Sequence, residues 1–221
     1  MAGICVIIPT YNESAAIAGL VKSICALKLD VVVIDDGSKD DTAQLARQNG
    51  ALVLANQVNM GKGACLVKGF NYVLEHGYDA VITVDGDGQH LPSEIPNFIK
   101  AAENCPECGI IVGNRMLKRG EMPFIRVLTN KGMSLFISGI AGQRIPDTQC
   151  GFRFIRRTVL EKVILKTTKY ETESEILVGA ARCGLKILSI PVTSVYSGGK
   201  SNINPFVDTL RFIRYVFTNR L

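Results

Sequence analysis

Two carboxylates one residue apart, Asp85 and Asp87, follow the apolar run Ala80 to Val84. At the rim of a buried strand such a pair can share a divalent cation that also grips a diphosphate, because hard cations take carboxylate and phosphoryl oxygens together. Gln89 offers a neutral oxygen beside them, and Gly86 and Gly88 let a ligand come close to the backbone. A solvated Asp-Gly turn is the plainer alternative for the same residues. A second acidic cluster, Asp35-Asp36-Gly37-Ser38, follows Val31 to Ile34. Acids at a strand end can accept hydrogen bonds from a base edge and from ribose hydroxyls; Ser38 or Asp41 is equally placed to cap the next helix.

Such acids meet only if the strands carrying them end together. Ile4 to Ile8, Val31 to Ile34, Leu52 to Leu54 and Ala80 to Val84 read as short strands buried on both faces. Between them lie helical patterns: Ala16, Leu20, Val21 and Ile24 at helix spacing, and Thr42 to Asn49 stopped by Gly50. This alternation predicts an α/β fold with a mainly parallel sheet between two helical layers. Pro9 to Glu13, Asp35 to Ser38 and Asp85 to His90 then converge on one sheet edge. Further along, Ile110 to Val112 reads as a strand, Lys118 to Glu121 as a mobile loop and Phe124 to Ile140 as an amphipathic helix. Lys186 to Val195 reads as a late strand, kept near an edge by Pro191.

The chain has 221 residues, 47% hydrophobic and 20% charged, which suits one packed domain and excludes pervasive disorder. A net charge of +5 is compatible with phosphate-bearing ligands or a membrane surface and does not imply nucleic acid. Seven scattered cysteines, several in apolar runs, fit a reducing compartment. Cys105-Pro-Glu-Cys108 has a redox or zinc spacing, but a structural zinc needs four ligands and only His76 and His90 exist to supplement it. No apolar run reaches the ~20 residues that span a bilayer, and no secretory leader is evident.

Four motifs in order, Pro9-Thr10-Tyr11-Asn12-Glu13, Asp35-Asp36-Gly37-Ser38, Asn59-Met60-Gly61-Lys62-Gly63 and Asp85-Gly86-Asp87-Gly88-Gln89-His90, give the chain a resemblance to the inverting family 2 glycosyltransferases of GT-A fold. Asp147-Thr148-Gln149-Cys150-Gly151-Phe152-Arg153 and Gly199-Lys200-Ser201-Asn202-Ile203-Asn204-Pro205 look like the branch of dolichyl-phosphate mannose synthases and bacterial polyprenyl-phosphate glycosyltransferases. The resemblance implies a nucleoside pocket from Pro9, Tyr11, Glu13, Asp35 and Asp36, with Gly86 and a supporting Lys62. It implies Mg2+ or Mn2+ on Asp85, Asp87 and Gln89, and phosphate contacts from Arg115, Arg126 and Lys200. Asp87, Arg115 and Asp147 are the catalytic candidates, and Glu173 is a further acid expected near the site. The implied partners are a nucleotide diphospho-sugar and a polyprenyl phosphate.

The chain departs from that pattern in two places. Ser197 and Asn202 stand where basic residues are expected, and the Glu-Asp pair of members that glycosylate hydroxyls is absent, with Asp147 near that position. An acceptor that is already ionised needs no general base, which favours a phosphate nucleophile. A soluble hydroxyl acceptor with Asp147 as base, or a non-catalytic nucleotide-sugar module, are the alternatives. Residues 1–203 form the expected catalytic domain. Residues 204–221 form a basic amphipathic helix (Phe206, Val207, Leu210, Ile213, Val216 and Phe217, with Arg211, Arg214 and Arg220) suited to an anionic bilayer. The expected location is cytoplasmic, peripheral on the cytosolic face of a membrane.

Overall fold

The structure, a computed structural model, describes residues 3–117, 122, 124–169 and 171–195. The expected loop at 118–121, Lys200 and the 204–221 helix lie outside the described residues.

The strands are β1 (Ile4–Thr10), β2 (Asp30–Asp35), β3 (Leu52–Ala55), β4 (Ala80–Thr83), β5 (Cys108–Asn114), β6 (Arg153–Arg156) and β7 (Lys186–Pro191). The helices are α1 (Ser14–Cys25), α2 (Thr42–Gln48), α3 (Lys62–Glu75), α4 (Ile95–Asn104), α5 (Phe124–Ala141), α6 (Arg157–Lys162) and α7 (Glu171–Arg182). One seven-stranded sheet runs in the order β3-β2-β1-β4-β6-β5-β7. All its pairings are parallel except those of β6, which is antiparallel to β4 and β5. The expected three-layer α/β architecture is therefore present, with one reversed strand inside it.

The central strands are almost wholly buried, as uninterrupted Val and Ile runs require when helices cover both faces. On α1, Ile17, Leu20, Val21 and Ile24 turn inward at i, i+3, i+4 and i+7. β7 lies at the sheet's edge and ends at Pro191, where a missing N–H leaves no ladder bond unmade.

Register explains why the motifs meet. Thr10 pairs with Asp35, so β1 and β2 end together, while β4 stops level with Ile7, three residues short of that end, and the segments leaving the three strands emerge on the same side of the sheet. The turns there are stitched together. Asp36 donates its N–H to Thr10 C=O, Asn12 N–H donates to Ser38 Oγ at 2.9 Å, and Lys39 N–H donates to Asn12 Oδ1 at 2.8 Å.

Neither expected cap is the one used. The Asp41 side chain makes no capping bond, and Ser38 bonds to Asp35. Asp40 serves two helices: Oδ1 accepts from Thr42 N–H and Oγ1, and Oδ2 accepts from Ser14 N–H at the start of α1. Burial alone would raise the Asp40 carboxyl, but these bonds together outweigh it and hold the group at about 2.

β6 carries no apolar alternation that would announce a strand; it begins and ends in arginine. Arg153 is one of the largest fully buried side chains, donating to the carbonyls of Cys150, Thr148 and Glu173. Arg156 donates to the carbonyls of Ala102, Cys105 and Cys108, and Arg157 to those of Leu74 and Tyr78. Part of the basic excess is thus internal, satisfying backbone acceptors instead of facing a ligand. Cys105 and Cys108 form a disulfide, so these two are not the free thiols expected of a reducing setting; the other five cysteines are free.

Candidate active site

The rim of β1, β2 and β4 brings together Pro9 to Glu13, Asp35, Asp36 and Asp85 to His90. Pro9 is buried, while Tyr11, Glu13, Asp85, Asp87 and Gln89 are half-buried. Gly86 is small for a reason other than ligand approach: a Cβ there would lie 2.6 Å from the Thr10 side chain and 3.2 Å from Pro9 C=O, so it packs the β4 turn onto β1.

Asp36, expected in the nucleoside pocket, is a brace for the next motif. Its Oδ1 accepts from Asn56 Nδ2 at 2.9 Å and Met60 N–H at 2.8 Å, and its Oδ2 from Gly61 N–H at 2.7 Å. Both oxygens hold the Asn59-to-Gly63 motif so that α3 starts at Lys62. Asp35 Oδ1 accepts from Ser38 N–H and Oγ, tightening its own turn.

Lys62 reaches the acid rim. Its Nζ is 2.6 Å from Asp85 Oδ1 and 3.1 Å from Glu173 Oε2, while His90 Nε2 lies 3.6 Å from Asp85 Oδ2. Burial opposes charge on both partners, but Lys62 and then His90 outweigh it and hold Asp85 far below the usual carboxylate range. Asp85 and Glu173 likewise hold the Lys62 ammonium above its ordinary value. Glu173, expected only as a further acid nearby, is therefore tied to the first Asp of the D-x-D motif through Lys62.

Asp87 and Glu13 behave in the opposite way. Burial, then the neighbouring Asp85 charge, raises Asp87, whose Oδ1 accepts one bond from Gln89 N–H at 3.0 Å. Glu13 is pushed up to about 6 by burial and by Asp87, Asp40 and Asp85. A surplus of mutually repelling carboxylate charge at a strand rim fits a hard divalent cation, which would relieve it. Among the described residues, a tight three-ligand group forms only at Cys105, Glu107 and Cys108, where the disulfide takes both sulfurs. The rim acids fit instead a cation that takes one or two carboxylates and completes its shell from substrate phosphates and water. A cleft of ≈ 300 Å³ opens beside Asp87, floored by α1 at Ala16, Gly19 and Leu20 and walled by His90 and Pro92.

Arg115 and Asp147, expected as a phosphate-binding cation and a separate catalytic acid, are paired with each other. Arg115 Nε lies 2.8 Å from Asp147 Oδ2 and Nη2 2.9 Å from Oδ1, and Arg115 N–H also donates to Oδ2 at 3.1 Å. Both are buried, Asp147 completely. A carboxylate with both oxygens on a guanidinium is a poor general base, and an arginine so held has lost the independence a mobile phosphate clamp needs. Arg126 sits half-buried in the first turn of α5, an element that supplies none of the rim acids.

Two residues of the site carry no signal of their own in the sequence. Gly151 belongs to it because a Cβ there would fall 2.5 Å from Asp85 Oδ1. His90, buried against Phe152, backs Asp85 from the other side. Both lie within the motifs already singled out; His90 reaches Asp85 from within the same loop, whereas Gly151 is set against it by the antiparallel pairing of β6 with β4.

Known proteins resemble this chain in sequence and in fold. Polyprenol monophosphomannose synthase of Mycolicibacterium smegmatis is 30% identical over 85% of this chain and 76% of its own length. UDP-N-acetylglucosamine–dolichyl-phosphate N-acetylglucosaminyltransferase of Methanococcus voltae is 29% identical over 86% and 85% respectively. Among solved structures, glucosyl-3-phosphoglycerate synthase of Mycobacterium tuberculosis, crystallised with Mn2+ and UDP-glucose, superposes with a TM-score of 0.78 at 21% identity, covering 98% of this chain and 78% of that one. At that identity the likeness concerns the fold, which is GT-A. The family model "Glycosyl transferase family 2" matches residues 5–164, and with most of its length matched the chain belongs to that family and is a glycosyltransferase.

Proposed function

We propose that this glycosyltransferase moves a sugar, with inversion, from a nucleotide diphospho-sugar, GDP-mannose or a UDP-sugar, to a polyprenyl phosphate at a membrane surface. The observation that carries the reading is the set of half-buried carboxylates, Glu13, Asp85 and Asp87, at the ends of adjacent parallel strands, with charge left over for a cation. The names of both relatives above, acting on polyprenol and dolichyl phosphate, support the acceptor class.

Asp87, with Gln89 beside it and Asp85 behind, would hold Mg2+ or Mn2+, which when bound neutralises the leaving diphosphate. Pro9, Tyr11 and Glu13 line the approach for the nucleoside. An oxygen of the acceptor phosphate forms the new bond to the anomeric carbon as the bond to the nucleoside diphosphate breaks. The phosphate arrives ionised, so no side chain need remove a proton. The burial of Asp147 on Arg115 agrees with this and disfavours the hydroxyl-acceptor alternative, which requires Asp147 as a base.

The membrane side of the reading is supported by α5. Phe124, Ile125, Leu128 and Leu135 are 61–78% exposed on a helix that contains Arg126 and Lys131 and no acid. That composition suits an anionic bilayer, where a polyprenyl phosphate resides. Among the described residues no helix is long and apolar enough to cross a membrane.

Incubation with labelled GDP-mannose, UDP-glucose or UDP-N-acetylglucosamine, polyprenyl phosphate and Mn2+ should yield a charged glycolipid from one donor. Asp87→Ala should reduce it by roughly 10²-fold or more, the scale of losing one preorganised electrostatic group. Undiminished transfer by that variant at saturating donor, or product formed only with hydroxyl acceptors, would overturn the assignment.

A further inference from the structure

The outer stripe of α5 leads into a groove. Phe124, Leu128, Lys131, Leu135 and Gly139 recur every three or four residues, so they share one face of the helix, and all five are exposed. Toward the C-terminal end of α5 that face borders a groove of ≈ 510 Å³ between the helix and residues 142–146. Lys131, Leu135 and Gly139 line it from the helix, and Arg144 and Pro146 from the segment after it. None of the rim acids reaches this groove, and no acid lines it among the described residues.

The groove is preformed, and most of its polar side chains are already used. Ser138 Oγ donates to Ile145 C=O at 3.2 Å and accepts from Ile145 N–H at 2.9 Å, which fastens the segment to the helix. Ser134 Oγ accepts from Thr148 N–H at 2.9 Å. Gln143 Nε2 donates to Leu185 C=O and its Oε1 accepts from Ile187 N–H, both at 2.9 Å. Lys131 and Arg144 remain: both are exposed, and neither side chain has a hydrogen bond or ion pair among the described residues. The groove thus offers a ligand two cations beside an apolar surface, which suits an anion joined to a hydrocarbon. Gly139 keeps it open. A Cβ there would meet no atom within 4 Å, so no packing contact calls for a glycine at this helical position, where glycine is a poor residue.

We propose that this groove takes the headgroup of an anionic phospholipid, with Lys131 and Arg144 on its phosphate and Leu135 and Pro146 against its glycerol and first acyl carbons. The inference deepens the membrane reading above, on which it rests: the occupant is a lipid of the bilayer and not the acceptor, whose phosphate must reach the rim acids to react. Charge complementarity selects the class, because a zwitterionic headgroup would bring a further cation to a groove with no acid to receive it. Continuity selects a lipid over a free phosphate, because the apolar residues Phe124, Leu128 and Leu135 run from the groove along the face that meets the bilayer. Such a site would dock the enzyme in one orientation, which diffuse charge attraction does not.

The test is calorimetric titration of the full chain with dihexanoyl phosphatidylglycerol, kept monomeric below its micelle concentration, beside dihexanoyl phosphatidylcholine and inorganic phosphate. Wild type should bind the phosphatidylglycerol at least about tenfold more tightly than either. Gly139→Leu fills the groove without altering charge and should weaken that binding about tenfold, as losing the burial of about two methylenes does. Gly132→Leu is the matched control: a Cβ there also meets nothing within 4 Å, but the position lies on α5 outside the groove, so affinity should stay at the wild-type value. Adsorption to a merely basic, apolar helix predicts the opposite, since either leucine would leave binding unchanged or strengthen it. Thermal melts confirm folding. Should Gly139→Leu not fold, Lys131→Gln combined with Arg144→Gln decides, because it should erase the preference for phosphatidylglycerol over phosphatidylcholine. Equal affinities of Gly139→Leu and Gly132→Leu, a preference retained in the double variant, or wild type that binds phosphatidylcholine or inorganic phosphate as tightly as phosphatidylglycerol overturns the inference. Wild type that binds phosphatidylglycerol as expected but transfers no sugar to polyprenyl phosphate strikes the acceptor reading and leaves the groove assigned.

Discussion

The α-carbon of Gly151 stands so close to Asp85 that a Cβ would lie 2.5 Å from Oδ1 and 2.6 Å from Oδ2. The backbone of the Asp147-to-Arg153 motif is therefore the wall against which the first D-x-D carboxylate rests. Gly151 C=O is itself fixed by Thr83 Oγ1 at 2.7 Å, so the wall has little freedom to yield. Gly151→Ala should displace Asp85 and lower transfer by roughly 10²-fold, as small misplacements at a reacting site do. Steady-state kinetics at saturating donor, beside a melt showing a folded protein, checks this; wild-type activity in the alanine variant would show that the wall yields after all.

A buried, bidentate Arg115–Asp147 pair makes a different prediction. Removing one partner strands a charge out of water and costs about 3–5 kcal/mol, so Asp147→Ala should lose stability first and activity as a consequence. In a chain of this size each kcal/mol shifts Tm by roughly 2–4 °C. The double variant Arg115→Met with Asp147→Leu should recover much of that loss, because an apolar pair of similar volume carries no desolvation penalty. Denaturant melts of the single and double variants measure both. If Asp147→Ala keeps wild-type stability while transfer alone collapses, the pair acts in catalysis and not as a brace.

How far the sequence revealed this arrangement depends on how local the controlling contact is. β1, β2, β4 and β5 are legible because each is a run of Val, Ile and Cys buried on both faces, and the convergence of their ends follows from parallel order. β6 is not legible: Arg153 and Arg156 mark its ends, and they are tolerable in a buried sheet only because backbone carbonyls of other segments, Glu173 and Ala102 among them, accept their hydrogen bonds. The same distance hides the partners of the site residues. Asp36 meets backbone donors 24 and 25 residues away, and Lys62 meets an acid 111 residues on. Motif spacing identifies the residue types at the rim, but whether a carboxylate faces ligand, backbone or lysine depends on tertiary packing.

The exposed face of α5 predicts a membrane phenotype separable from catalysis. Leu128 and Leu135 lie outside the core while Val127, Met133 and Ile137 face inward, so charged replacements at the outer positions should change stability by less than about 0.5 kcal/mol. Inserting a leucine into a bilayer contributes about 1.5–3 kcal/mol. Leu128→Glu combined with Leu135→Glu should therefore weaken sedimentation with phosphatidylglycerol-containing vesicles by at least about tenfold. Transfer to a water-soluble short-chain acceptor should survive. Unaltered vesicle binding by the double variant would assign membrane contact to another part of the chain.

Glu13 gives a pH signature whose sign is fixed by its neighbours. Its carboxyl sits at about 6 against an ordinary 4.5, raised by burial and then by Asp87, Asp40 and Asp85. The folded protein therefore holds this proton more tightly than the unfolded chain. Metal-free stability should fall as pH rises through that window and level off above it. Asp87, also raised, adds in the same direction. Glu13→Gln removes the repulsion, so in EDTA it should melt higher than wild type near pH 7.5 and converge with it near pH 4.5. Solvent screening of a half-buried group keeps the gain within about 1 kcal/mol, or roughly 2–4 °C. Mn2+ supplies the same relief by binding, so its stabilisation of wild type should grow with pH across this window and be smaller in Glu13→Gln. Melts of both proteins from pH 4.5 to 8, with and without Mn2+, measure the four curves; a Glu13→Gln variant that melts lower at pH 7.5 in EDTA would show that Glu13 is held by a favourable contact and does not belong to a repelling acid cluster.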